Sequence, residues 1–197
     1  MGWPDGYRVL TYEVHGVEKL RRHGLLILAN HPSLIDVVFL ISFIDKADCI
    51  VKEQLMRNPF TRGPIRAAGF ITNNSGAGLI DDCIRSLRSG NNLVIFPEGT
   101  RTPTSGRARL QRGAANVAVR GAINITPVHI QCSRPILTKG VPWWKVPART
   151  PHFTIEVRED IEITSFCEAA NSEALAARQL TEYLSEQLFR GPSSAST

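Results

Sequence analysis

No long apolar run occurs in this 197-residue sequence: the stretch that begins at Val37 passes Ser42 and stops by Ile44. A bilayer-crossing helix needs about 20 apolar residues, so nothing here reads as a span. Close cysteine pairs are missing too. Cys49, Cys83, Cys132 and Cys167 stand far apart, which argues against metal ligation and against a disulfide framework, and suits buried thiols in a reducing cytoplasm. The chain has no Cys/His finger spacing, no aromatic run of the RNA-binding kind and no block of five or more like charges, so nucleic acid is the weakest partner. Its start, Met1-Gly2-Trp3-Pro4-Asp5, lacks the charged-then-apolar pattern of a signal peptide.

What remains is an ordinary globular composition, 43% hydrophobic and 21% charged. Basic residues number 23 against 18 acidic, a formal charge of +5. That excess fits an anionic membrane surface or a phosphate-bearing substrate. The length suits one domain over residues 1–190, followed by a small, polar tail at 191–197 that is expected to be disordered.

Strands are expected at 7–14, 25–29, 47–51, 67–72, 93–96, 123–131 and 153–157, with helices over 33–43, 77–88, 110–119 and 171–190. The helix at 33–43 is apolar nearly all round and should be buried. This alternation predicts an α/β fold: a single domain with a mixed, mostly parallel sheet flanked by helices.

Two polar segments follow apolar strands. Asn30-His31-Pro32-Ser33-Leu34-Ile35-Asp36 comes after Leu25 to Ala29, and Phe96-Pro97-Glu98-Gly99-Thr100-Arg101 comes after Leu93 to Ile95. The mouths of buried strands are where an α/β sheet places its chemistry. A histidine and an aspartate at this spacing can act as a base and its orienter, because one imidazole nitrogen must be held for the other to accept a proton. The second segment adds a carboxylate, a turn and a guanidinium suited to phosphate or carboxylate. His15, His23, His129 and His152 lack such company and read as structural.

NHPSLID resembles the N-H-x4-D signature of the glycerolipid (lysophospholipid) acyltransferases, and FPEGTR resembles their second strong block with EGTR intact. A lone H-x4-D is weak; both blocks in this order are specific, and the likeness runs from roughly Tyr12 to Pro127. The resemblance implies transfer of an acyl chain from a thioester, acyl-CoA or acyl carrier protein, to a hydroxyl of a lysophospholipid or related lipid. His31 and Asp36 are then the catalytic pair, and Glu98, Gly99, Thr100 and Arg101 bind the acceptor, Arg101 through its phosphate. No bound cofactor, no metal and no acyl-enzyme are required. Backbone donors near Gly99 and at the helix start beside His31 are candidates to receive anionic charge.

A third block departs from the family. Ala68-Gly69-Phe70-Ile71-Thr72-Asn73 keeps Phe70-Ile71 but has Asn73 where an arginine is expected. Lys52, Arg66 and Arg101 are the candidate replacements for that cation, and lysophosphatidate is expected to be a poor acceptor. The strand at Ile123 to Val128 resembles the family's last block, an apolar strand with a proline.

Residues 52–66 interleave apolar and basic side chains, and 137–149 set Trp143-Trp144 between Lys139 and Lys145. Both suit a headgroup layer, so a peripheral protein on the cytoplasmic face of a bacterial inner membrane is expected. A solvated loop pinned by one tryptophan is the alternative for the second stretch. Other functions stay open at this point: acylation of an unusual lipid or polyketide-like chain with an acyl carrier protein as partner, a thioesterase, or a non-catalytic lipid- or carrier-binding module.

Overall fold

The computed structural model describes residues 10–33, 35–51, 71–72, 78–100, 109–134 and 150–189. In chain order the elements are β1 (Thr11–His15), a 3-10 turn (Val17–Arg21), β2 (Leu26–Ala29), α1 (Asp36–Ser42), β3 (Ala47–Val51) and β4 (Ile71–Thr72). They continue with α2 (Gly78–Arg88), β5 (Asn92–Ile95), α3 (Gly113–Gly121), β6 (Ile125–Cys132), β7 (His152–Val157), α4 (Thr164–Ala169) and α5 (Glu173–Phe189). The strands form one sheet in the order β1-β7-β6-β2-β5-β3-β4. All neighbours are parallel except β6 and β7. The expected α/β architecture with a mixed, mostly parallel sheet is therefore present.

β2 and β5 sit at the centre and all four residues of each are buried. Their unbroken apolar character follows from cover on both faces. Side chains alternate across the pleat. Leu26, Leu28, Leu93 and Ile95 pack under α2, α3 and α5, while Ile27, Ala29 and Val94 face Leu40 and Ile44 on and just after α1. α5 contributes Ala176, Ala177, Leu180, Leu184 and Leu188 to the first core, a stripe at helical spacing.

Two helices differ from expectation. α1 is seven residues, Asp36–Ser42, and among its side chains only Asp36 and Leu40 are buried. Val38 is 68% exposed, because so short a helix lays one side on the sheet and turns the opposite side away from it. α4 was not foreseen; it packs beside α5 through the tilted ring contact of Phe166 with Tyr183, centroids 5.4 Å apart. The expected strand over 67–72 is described only at Ile71–Thr72. The basic stretch 52–66, the tryptophan stretch 137–149, Asn73 and the tail 191–197 lie outside the described residues. Among the described residues no helix is long and apolar enough to cross a membrane.

Candidate active site

β2 and β5 are parallel neighbours with Leu28 opposite Ile95. Three residues further along each chain, the same register brings His31 beside Glu98. The two polar segments thus meet because their strands are paired. Alternation puts His31 on the side of Ile27 and Ala29, the side that α1 covers. Its ring lies against Phe96, centroids 4.5 Å apart and planes tilted by 35°, and its side chain is 13% exposed.

Asp36, the first residue of α1, is fully buried. Its Oδ2 lies 3.2 Å from His31 Nδ1 and accepts the Ser33 backbone N–H at 2.6 Å. Its Oδ1 accepts the Ser33 hydroxyl at 2.9 Å. Ser33 Oγ in turn accepts the Ile35 N–H at 3.1 Å, so Ser33 donates twice to the Asp36 carboxylate and takes one bond from the chain between them. These bonds occupy the Ser33 and Ile35 N–H groups at the helix start. A carboxylate with three donors around it is fixed in rotation, and so is the imidazole facing it. With Nδ1–H directed at a carboxylate, the tautomer that follows has its lone pair on Nε2.

Glu98 is 4% exposed and its Oε1 accepts the His31 backbone N–H at 2.9 Å. That oxygen serves the histidine segment's main chain. Gly99 has φ +63°, a conformation natural to glycine, and its N–H donates to Phe96 O at 3.0 Å. The Gly99 amide therefore closes the turn, which removes it from the expected donors to an oxyanion. Thr100 is exposed at the same strand end. Arg101, Lys52 and Arg66 lie outside the described residues, as does Leu34.

Asn30 was read only as part of its motif, yet it is 5% exposed and bonds twice to the main chain of β6. Its amide donates to Ile130 O at 2.8 Å and accepts Ile130 N–H at 2.7 Å. Ser33, fully buried, was likewise not singled out. The serine three residues before an aspartate at a helix start was the signal that could have found it. Cys132, at the end of β6, has its thiol pushed up chiefly by burial, with the Asp36 charge a further cause. Burial also pushes Cys49 up to about 12 and Cys83 up to about 11, with a neighbouring carboxylate adding to each. Such thiols are protonated at neutral pH. Cys167, like Cys132, is only partly buried, so two of the four expected buried thiols are not.

Three of the four remaining histidines have partners away from the site. His152 Nδ1 meets Thr11 Oγ1 at 2.8 Å, His15 lies 3.7 Å from Glu13, and His129 Nδ1 donates to Leu188 O at 2.8 Å. Two open cavities, one beside Asp48 and Asn91 and one beside Arg158 and Tyr183, are lined by none of the sequence-predicted site residues. Among the described residues no group of three His, Cys, Asp or Glu side chains is gathered to hold a metal.

The acyltransferase family model matches residues 11–131. A 1-acyl-sn-glycerol-3-phosphate acyltransferase from Pseudomonas aeruginosa is 29% identical over 128 residues, 60% of this chain and 49% of that protein. The Saccharomyces cerevisiae protein of the same name is 32% identical over 129 residues, 60% of this chain and 42% of its own. The chain thus spans about half the length of the curated relatives it matches. The crystal structure of the 1-acyl-sn-glycerophosphate acyltransferase PlsC from Thermotoga maritima superposes with a TM-score of 0.68 at 23% identity, covering 94% of this chain and 75% of that one. At that identity the likeness concerns the fold.

Proposed function

The chain belongs to the acyltransferase family, and we propose that it moves a fatty acyl chain from a thioester to a hydroxyl of a lysophospholipid, with His31 as general base. The observation that carries this reading is the contact of His31 Nδ1 with the fully buried Asp36. An alcohol is a poor nucleophile until its proton is withdrawn as it attacks. His31 Nε2 takes that proton as the acceptor oxygen adds to the thioester carbonyl. Asp36 holds the ring and balances the imidazolium that forms. Collapse expels the thiolate, which regains a proton from the same imidazolium, and the products are an ester and a free thiol. Substrate alcohol and thioester react directly, so the enzyme itself is not acylated.

The names of the relatives favour lysophosphatidate as acceptor. Arg101 is then the residue for its phosphate, since a guanidinium can grip two phosphate oxygens at once. Asn73, a neutral amide where the family block carries an arginine, favours a second reading in which a lysolipid with another headgroup is preferred. The donor is acyl-CoA or acyl carrier protein, and the chain works as a peripheral protein on the cytoplasmic face of the inner membrane.

The test is an assay of thiol release and ester formation with acyl-CoA and with acylated carrier protein, across a panel of lysolipids. Ester formation with at least one pair is expected, and kcat/KM on lysophosphatidate against the rest decides between the two acceptors. Thiol release without ester would make the protein a thioesterase. No turnover of any pair would overturn the proposal.

A further inference from the structure

Strand pairing ends just before the chemistry begins. The β2 ladder to β6 runs from Leu26 to Ala29, and the ladder to β5 from Leu26 to Leu28. Beyond those points a chain leaving a sheet has no main-chain partners left to hold it. Here two side chains take over. On one side Asn30 presents its amide to both polar groups of Ile130, at 2.7 and 2.8 Å, as a peptide of a neighbouring strand would. On the other side Glu98 receives the His31 N–H at 2.9 Å. Both side chains are buried, 5% and 4% exposed. A buried bond of this kind is costly to lose, because the stranded polar group has no water to replace its partner.

We propose that Asn30 is a positioning residue for His31: by extending the sheet with its side chain, it fixes the main chain from which the imidazole projects. The inference rests on His31 being the base, but it concerns a different residue. Asp36 controls the rotation of the ring, whereas Asn30 controls where the ring is mounted. The Asn30 side chain is occupied by Ile130 through both of its functional atoms, so its effect passes through His31. A displacement of the reacting group by about 1 Å can cost about 10²-fold in rate.

The experiment compares Asn30→Ala and Asn30→Asp with His31→Ala, each checked for folding by circular dichroism and thermal unfolding. Asn30→Ala removes both bonds. Asn30→Asp keeps the acceptor for Ile130 N–H and sets a carboxylate oxygen against Ile130 O. Both should lower kcat by about 10- to 100-fold while KM for donor and acceptor stays within about threefold, the pattern of a group that acts on transition-state geometry. A folded Asn30→Ala protein with kcat within twofold of the parent overturns the inference. A raised KM with unchanged kcat also overturns it, since that is the mark of substrate contact. If His31→Ala keeps its activity, the base assignment itself fails; if it is dead while Asn30→Ala is normal, only the present inference fails. Should neither Asn30 variant fold, the unaltered protein decides. Its Asn30 side-chain amide protons should exchange slowly with solvent in NMR spectra, and exchange at the rate of an exposed amide would contradict the clamp.

Discussion

Asp36 illustrates how much a single side chain is asked to do at this site. It accepts both Ser33 donors, the N–H and the hydroxyl, and faces His31 through the same oxygen that takes the Ser33 N–H. Asp36→Asn replaces one of these oxygens by an amino group, which sets a donor against either the Ser33 donors or His31 Nδ1–H. The expected result is a fall in kcat of at least about 10²-fold in protein that still folds, because the imidazole loses its acceptor and its preferred tautomer. Steady-state kinetics beside a melting curve check it: a melting shift without a kinetic defect would show that Asp36 serves the helix start alone. At this scale the sequence was most legible. His31 and Asp36 stood out because H-x4-D is accompanied by EGTR in the order of a known family, the spacing alone being a weak signal, and their catalytic roles remain the proposal made above. Asn30 did not, since both its partners are main-chain groups of Ile130, which leave no pattern in side-chain identities; Ser33, bonded to the Asp36 carboxylate, did leave one in its spacing to that residue.

Among the elements, the turn after β1 leaves no room for a side chain. Gly16 has φ +74°, and a Cβ placed there would sit 2.6 Å from Val157 O. Strain at positive φ and collision with a backbone carbonyl add, so Gly16→Ala should destabilise by about 2 kcal/mol or more, measured by denaturant unfolding. Wild-type stability would mean that the turn relaxes freely. The docking of α5 carries its own signature. His129 on β6 donates Nδ1–H to Leu188 O, and its Nε2 is buried with no hydrogen-bond partner among the described residues. Burial, aided by the Arg158 charge, lowers its pKa, against the opposing bond to Leu188 O and the Glu156 charge. A lowered histidine pKa means that this contribution to stability is complete above the unfolded value of about 6.5 and is lost as pH falls below it. His129→Asn, which keeps a donor near Nδ1 and cannot titrate, should flatten the loss of stability as pH falls below about 6.5. An unchanged slope would place the titration elsewhere. Asp160, held low chiefly by the Arg22 hydrogen bonds, acts in the same direction but only below about pH 4. Helix lengths were the least legible feature. The helix expected over 33–43 begins only at Asp36, with Ser33 ahead of it bonded to the Asp36 carboxylate, and α4 buries none of its side chains and so shows no period.

For the whole molecule, the parallel sheet was readable from alternating strands and helices, and the meeting of the two motifs follows from which strands pair. Pairing order itself was not readable, because β2 meets β5 and β6 across long stretches of chain and only the folded sheet records that register. The net charge of +5 and the basic, tryptophan-bearing stretches belong to this scale as well. If the chain works at a membrane as proposed above, that composition should make it bind anionic vesicles more tightly than neutral ones and release them as salt rises. Replacing Trp143 and Trp144 by Ala should weaken vesicle binding without altering the circular dichroism spectrum. Sedimentation with vesicles of the two compositions is the check, and equal binding to both would remove the electrostatic part of the account.

The most direct measurement is the rate of ester formation by folded His31→Ala protein beside the parent, with saturating thioester and lysolipid. Removal of a general base should lower kcat by about 10²- to 10⁴-fold in protein that circular dichroism and a melting curve show to be folded. Turnover within a few-fold of the parent would contradict the account, for it would mean that the acceptor hydroxyl loses its proton to some other group.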